Sequence, residues 1–423
     1  MARVLRPVSA IDPTGPLAAD GSVVVVGAGL GGLRCAETLR ALGFKGPITL
    51  VGDEPHLPYD RPPLTKQLLA GTWDEARIRL VTAEALEKMS IELVTGTAAT
   101  SLDVEGRSVT LADGRRLGGD AVVLATGAAP RWLPGTEGAA GIHVVRTLAQ
   151  GTALRDELAR LAGRGRVIVI GGGFIGAEVA STAASASLDV TIVEALPVPL
   201  GPVVGDEVGA WIVELHRRAG IDVRAGVTIA AVEPATASGG PAVVLASGER
   251  LDADVVVIGI GVAPQTEWLD GSGLAVDNGV ETDAALFAAN GVVAVGDLAR
   301  FTWHHAGRTE LVRIEHWEVA AQLAAAAANS LVAGREHAHA VALVPYFWSD
   351  QHGRKLQMLG HPSGADDMSQ VTGSLDEGKF TVLYHRLGRL TGVLGLASPR
   401  NVMICRTLVD AGAPIGEALA LFA

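Results

Sequence analysis

Gly27, Gly29 and Gly32 spell GxGxxG, and Gly171, Gly173 and Gly176 spell it again 144 residues later. Glycine at the first position permits a tight turn. At the second it lets backbone approach a pyrophosphate, and at the third it lets a helix close on a strand. The helix that follows adds free N–H groups and partial positive charge for the phosphates. Gly31 belongs to the first loop, Ile175 to the second. Such a loop calls for an acid about 20 residues on, to accept hydrogen bonds from a ribose. After the first loop, ITLV (48–51) is followed by Gly52, Asp53 and Glu54. Asp53 is the expected ribose ligand; a solvated turn acid is the other reading. After the second, VTIVE ends in Glu194, 23 residues beyond Gly171. A carboxylate there accepts from a 2′-hydroxyl and repels a 2′-phosphate. The next residues, ALPVPLG, hold no Arg or Lys, so NADH is predicted over NADPH.

Other chemistries find little support. The two cysteines, Cys35 and Cys405, make neither a CxxC pair nor a zinc spacing. A disulfide scaffold is excluded, and a reducing compartment is the natural reading. Eleven histidines include His304–His305 and His337/His339; packed or solvated roles suit them better than metal binding, and no metal site is predicted. Neither a Ser–His–Asp set nor a pair of catalytic carboxylates stands out. With 34 basic and 46 acidic residues the net charge is −12, and without a basic stripe no nucleic acid is expected as a partner. The first twenty residues lack the apolar core of a signal peptide. AAQLAAAAANSLVAG (320–334) is broken by Gln322, Asn329 and Ser330, so it reads as a buried helix and not as a membrane span. The expectation is a cytoplasmic protein without membrane insertion, a monomer or weak homodimer.

The elements that must position the loops follow from the apolar pattern. SVVVVGAGLGGLRCAETLRAL is strand, glycine turn and helix, and RVIVIGGGFIGAEVASTAA repeats it. AVVLATGAAP (121–130) and VVVIGIGVAP (255–264) repeat each other too, each an apolar strand ending in Gly and then Pro. Strands alternating with helices imply mostly parallel sheets buried on both faces. The last ninety or so residues differ. YFWSDQ, KLQMLG, KFTVLYHR and LTGVLGL read as an antiparallel sheet, closed by one helix, PRNVMICRTLVDAG. The expected organisation is a mobile leader (1–20), a discontinuous first nucleotide domain (21–129 and 265–334), a second (130–264) and a C-terminal domain (335–423). The fold class is α/β: two Rossmann-like dinucleotide-binding domains, glutathione-reductase-like, plus a C-terminal α+β domain.

Two dinucleotide loops, an ATG strand end (Thr126, Gly127) and a GD strand end (GVVAVGD, with Gly296 and Asp297) together resemble the two-dinucleotide-binding flavoprotein oxidoreductases. PYDRPPLTK (58–66), RIEHWEVAAQ (313–322) and PYFWSDQ (345–351) narrow the resemblance to the NADH-dependent, putidaredoxin reductase-like ferredoxin reductases that feed Rieske dioxygenases and bacterial cytochromes P450. The resemblance implies FAD at the first loop, with Asp297 on its ribityl chain, and NADH at the second. It places Lys66 by the isoalloxazine and brings Glu178 of GFIGAE towards it. The ammonium offsets negative charge on reduced flavin and the carboxylate partners the ammonium; a helix-surface charge is the other reading of Glu178. Arg61, Arg146 and Ala99 are implied along the FAD path, and Trp317 is implied to offer backbone to the flavin pyrimidine edge. Ile260 and Gly261 are implied against the nicotinamide half of NADH, with Glu315 and Trp348 bounding that pocket. Trp348 reads equally as ordinary core of the third domain.

The acceptor follows from what is missing. Disulfide reductases on this fold need a CxxxxC or CxxC beside the flavin, and peroxide- or coenzyme-A-linked relatives need a single cysteine. Here that stretch reads PYDRPPLTKQLLAG. Electrons must therefore pass directly from flavin to an outside acceptor. The resemblance makes it a [2Fe–2S] ferredoxin, taking one electron at a time. Rubredoxin, monodehydroascorbate or quinone reduction, and a redox-sensing role like that of apoptosis-inducing factor, stand as alternatives. Docking an acidic ferredoxin needs a local basic patch against the net charge. Its candidates are Arg300, Arg308, Arg313 and Arg335 with His304 and His305; for each, a solvated face is the competing reading.

Overall fold

The computed structural model describes residues 15–161, 163–237, 239–305 and 308–423. They divide into two compact units. The first comprises 15–60, 79–129 and 263–345; the second comprises 61–78, 130–262 and 346–423. Of the leader expected at 1–20, residues 1–14 lie outside the described residues. Its end is hydrogen-bonded within the first unit: Leu17 N–H donates to Leu331 O at 2.8 Å, and Ala19 O accepts from Lys45 N–H at 2.8 Å.

The first unit is built on Val23–Val26, all four valines buried. β-Branched side chains on both faces suit a strand covered on both sides, and each fully buried one contributes about 1.5–3 kcal/mol. This strand pairs in parallel with Ile48–Val51 and with Ala121–Leu124. Ile91–Val94 extends the sheet in parallel on one side and Val292–Ala294 on the other. Phe287–Ala289 closes that second edge antiparallel. Helix Leu30–Ala41 follows the first strand, and helix Trp317–Ala333 supplies the alanines Ala324, Ala327 and Ala328 to the same core.

The second unit repeats the plan. Arg166–Ile170 lies between Asp189–Glu194 and Val255–Ile258, all parallel, with Asp222–Ala225 and Ile142–His143 at the edges. Helix Phe174–Ser185 follows the central strand. Each unit also carries a three-stranded antiparallel sheet that the strand–helix alternation does not announce. One is Ala99–Asp103, Ser108–Leu111 and Arg116–Gly118; the other is Ile229–Glu233, Ala242–Leu245 and Arg250–Asp252. In each, the middle strand is mostly buried, while the outer strands are short and mixed in burial and carry no long apolar run.

The C-terminal residues form a five-stranded antiparallel sheet. Four strands match the expected segments: Tyr346–Gln351, Arg354–Gly360, Lys379–Arg386 and Arg389–Leu396. The fifth, Asp367–Ser374, is an edge strand reading DMSQVTGS, with no apolar alternation to betray it. The single closing helix is corrected to Pro399–Ile404, Arg406–Asp410 and Ile415–Ala420. The break falls at buried Cys405, whose N–H reaches Val402 O in a tightened last turn. Helix Asp206–Arg218 packs Val208, Ile212 and Leu215 against Phe347, Leu356 and Phe380 of the sheet. Among the described residues, no helix is long and apolar enough to cross a membrane.

Candidate active site

The two glycine loops differ in what surrounds each glycine. Gly27 has φ +116°, and a Cβ built on it would lie 2.1 Å from Ala125 O. A Cβ on Gly32 would lie 2.0 Å from Gly27 O. Both positions are closed by the protein's own backbone. Gly29 caps helix Leu30–Ala41, and a Cβ there would meet nothing within 4 Å. The second loop repeats this: Gly171 and Gly176 are closed at 2.4 and 2.0 Å, whereas Gly173, at the start of Phe174–Ser185, is open. The middle glycine of each loop thus leaves clear space at a helix N-terminus, the surroundings a pyrophosphate needs.

Other elements of the first unit converge on its loop. A Cβ on Gly31 would lie 3.5 Å from Val295 Cγ2, and one on Gly296 would lie 3.7 Å from Ala320 Cβ. The GD turn and the start of helix Trp317–Ala333 therefore meet at the glycine loop. Trp317 is held there by its indole N–H, which donates to Asp60 Oδ1 at 2.6 Å. Asp297 O accepts from Arg313, and Arg313 also pairs with exposed Glu315 at 2.9 Å. Thr126 Oγ donates to Gln265 O at 2.9 Å, and Gly127 O accepts from Gln265 N–H, also at 2.9 Å. Ala99 opens its antiparallel sheet and is half-buried. Asp53 is exposed, whereas Glu54 accepts from the Tyr59 hydroxyl at 2.7 Å.

Within the second unit, Glu194 accepts from Gly172 N–H and Leu196 N–H, each at 2.7 Å. A carboxylate has about four acceptor positions, so these bonds fix it beside the loop with capacity left for a ribose. Arg61 donates to Arg146 O. Ile175 is exposed; Gly261, at φ +92°, has an open Cβ position next to half-buried Ile260. Trp348 is half-buried on the outer face of its strand, ring to ring with Tyr346 at 6.2 Å and with Lys355 Nζ 5.6 Å from its centre. The inward residues are Phe347, Ser349 and Gln351, so the reading of Trp348 as core does not hold.

The strongest grouping centres on Glu178. It is 3% exposed, on the helix that starts at the open glycine. Its Oε2 accepts from Lys66 Nζ and from Thr65 Oγ, each at 2.6 Å. Its Oε1 accepts from Ser349 Oγ at 2.8 Å and from Asp350 N–H at 3.2 Å. A buried charge is stable only when paired and hydrogen-bonded, and four donors meet that demand. Lys66 Nζ also donates to Pro62 O at 3.1 Å. An ammonium has three N–H donors, and among the described residues those two acceptors account for two. The helix-surface reading of Glu178 does not hold. The sequence pointed to the pair but not to Thr65 or Ser349, although both stand inside segments it singled out.

Neither thiol approaches this grouping in character. Both cysteines are buried, and burial pushes Cys35 up to about 12 and Cys405 up to about 11, far from the thiolate that redox chemistry needs. Among the described residues no cluster of three or more metal-ligating side chains occurs. The arginines offered for docking are engaged: Arg300 with Asp277 and Glu281, Arg308 with Glu310, Arg313 with Glu315 and Arg335 with Asp283.

Comparison with known proteins identifies the family and the overall fold. Residues 21–324 match the family model described as pyridine nucleotide-disulphide oxidoreductase, and 346–421 match one described as reductase C-terminal. The chain is 36% identical to rhodocoxin reductase of Rhodococcus erythropolis, over 93% of this chain and 90% of that one. It is 38% identical to the ferredoxin–NAD(+) reductase component of the anthranilate 1,2-dioxygenase system of Burkholderia cepacia, over 92% and 94%. A crystal structure of the covalent putidaredoxin reductase–putidaredoxin complex superposes with a TM-score of 0.88 at 35% identity, covering 96% of this chain and 99% of that one.

Proposed function

The chain belongs to the pyridine nucleotide-disulphide oxidoreductase family, and on that premise we propose that it is an NADH-dependent flavoprotein reductase serving a [2Fe–2S] ferredoxin that supplies a cytochrome P450 or Rieske oxygenase. It works in the cytoplasm. Bound FAD supplies a carrier that accepts two electrons as hydride and releases them singly. The observation that carries the reading is the buried Lys66–Glu178 pair, with one N–H of Lys66 uncommitted among the described residues, in a protein whose thiols are buried.

The residues divide the work. The open space at Gly29 and the helix start behind it suit the FAD pyrophosphate, with Asp53 for the ribose and Asp297 for the ribityl chain. Gly173 and its helix start suit the NADH pyrophosphate. Glu194, held by two backbone N–H groups, accepts from the adenosine ribose and turns away a 2′-phosphate. With FAD bound, the Lys66 ammonium would supply a fixed cation for the isoalloxazine, offsetting negative charge on the reduced ring. Glu178 holds Lys66 in place and compensates its burial.

Anaerobic stopped-flow mixing tests this reading. NADH should bleach the flavin band in milliseconds to seconds, and NADPH should do so at least about tenfold more slowly, one ribose contact being worth about 1.4 kcal/mol or more. A preference for NADPH would remove Glu194 from its role. A flavin that NADH leaves oxidised would remove the reductase assignment.

A further inference from the structure

The strand Tyr346–Gln351 buries alternate residues, and its inward positions read Phe347, Ser349 and Gln351. Two of three inward positions are thus polar, at 0% and 2% exposure. Polar groups in a core cost free energy unless bonded. Gln351 Nε2 donates to Ser349 Oγ at 3.1 Å, and Ser349 Oγ donates to Glu178 Oε1 at 2.8 Å. Because the Ser349 oxygen accepts from Gln351, its own proton is left to point at the carboxylate. Helix Phe174–Ser185 meets the same hairpin again one turn on, where Ser181 Oγ accepts from His352 N–H at 2.7 Å. Thr182 Oγ donates to Thr65 O at 2.8 Å on the other side. Residues 178, 181 and 182 share one helix face, so this face grips the Lys66 segment and the C-terminal hairpin together.

We infer that Ser349 and Gln351 are positioning residues for the Lys66–Glu178 pair, and that the C-terminal region thereby tunes the reactivity of the flavin. This inference rests on the reductase reading. A hydrogen bond to Oε1 draws carboxylate charge away from Oε2, the oxygen that faces Lys66. Removing it concentrates negative charge against the ammonium and weakens the positive field that Lys66 presents. Reduced flavin, the more negative form, loses stabilisation, so the midpoint potential moves in the negative direction and hydride acceptance slows.

The test uses the FAD-loaded full chain with Ser349→Ala, Gln351→Leu and Ser349→Thr. Spectroelectrochemistry gives the flavin midpoint, and stopped flow gives the rate of reduction by NADH. Ser349→Ala should lower the midpoint and slow reduction about tenfold, the scale of one hydrogen bond to a charged group. Gln351→Leu should act in the same direction and less, while Ser349→Thr, which keeps the hydroxyl, should restore wild-type values. Flavin content and melting temperature report folding; if Ser349→Ala fails to fold, Gln351→Leu decides. Folded variants with the wild-type midpoint and rate would overturn the positioning role and leave the reductase reading standing. A wild-type protein that NADH does not reduce would overturn both.

Discussion

At the scale of single residues, the two glycine loops offer an internal control. Gly173 adopts extended backbone, φ −70° and ψ 178°, with open space around its Cβ direction. Gly173→Ala should cost only about 0.5 kcal/mol of stability, as a poorer helix cap, while raising the KM for NADH. Gly176→Ala places a carbon 2.0 Å from Gly171 O, where only backbone can yield. It should lower the melting temperature by several degrees, since overpacking costs about 1–3 kcal/mol. Equal melting temperatures for the two variants would contradict this division of roles. The glycine turns and the approach of Glu178 to Lys66 were legible from spacing and resemblance, because a strand–turn–helix with close backbone contacts constrains residue type at fixed offsets. Thr65 and Ser349 were not, because a hydroxyl that completes a buried carboxylate's shell has no spacing signature. Trp348 stayed ambiguous until its strand's inward face was known, since one residue of register decides which side is core.

At the scale of elements, the hairpin and helix Asp206–Arg218 meet at a second buried polar contact. His216 Nδ1 lies 2.9 Å from His352 Nε2. Burial, and next the neighbouring His352, pulls His216 down to about 3, and burial also lowers His352. An unfolded imidazole titrates near about 6.5. Below that pH the unfolded chain binds protons that the folded protein refuses, so stability falls as pH falls. The melting temperature should therefore drop from about pH 7 to about pH 5, and His216→Asn should flatten that slope; an unchanged slope would show that the pair does not govern it. Parallel strands were legible as apolar runs next to glycine turns. The antiparallel insertions and the edge strand Asp367–Ser374 were not, because short strands of mixed burial carry little periodic signal. The closing helix was read as one element because its break lies at Cys405, a residue type compatible with continued helix.

At the scale of the whole molecule, composition narrowed the function by exclusion. A net charge of −12 argued against nucleic acid, and two distant cysteines argued against a thiol relay. The structure strengthens the second point, because both thiols are buried. Replacing both, as Cys35→Ala with Cys405→Ala, should leave NADH-driven acceptor reduction within about twofold of wild type even where the core substitutions lower stability. Loss of turnover in a folded, flavin-loaded double variant would restore a thiol to the electron path. Charge suggested a ferredoxin surface around four arginines. Each arginine it suggested already meets a carboxylate, so reversing Arg308 or Arg313 breaks a local ion pair as well as any docking contact. Sequence fixes how many charges a chain carries, whereas their pairing depends on the fold.

Electrons from NADH should leave this protein one at a time for a ferredoxin. This is tested most directly by anaerobic reduction of a [2Fe–2S] ferredoxin encoded in the same genome, with NADH limiting and catalytic amounts of the FAD-loaded protein. Ferredoxin should be reduced with two equivalents consumed per NADH oxidised, at a rate that rises with ferredoxin concentration. Rapid bleaching of the flavin by NADH, with ferredoxin remaining oxidised at the rate of a protein-free control, would contradict it.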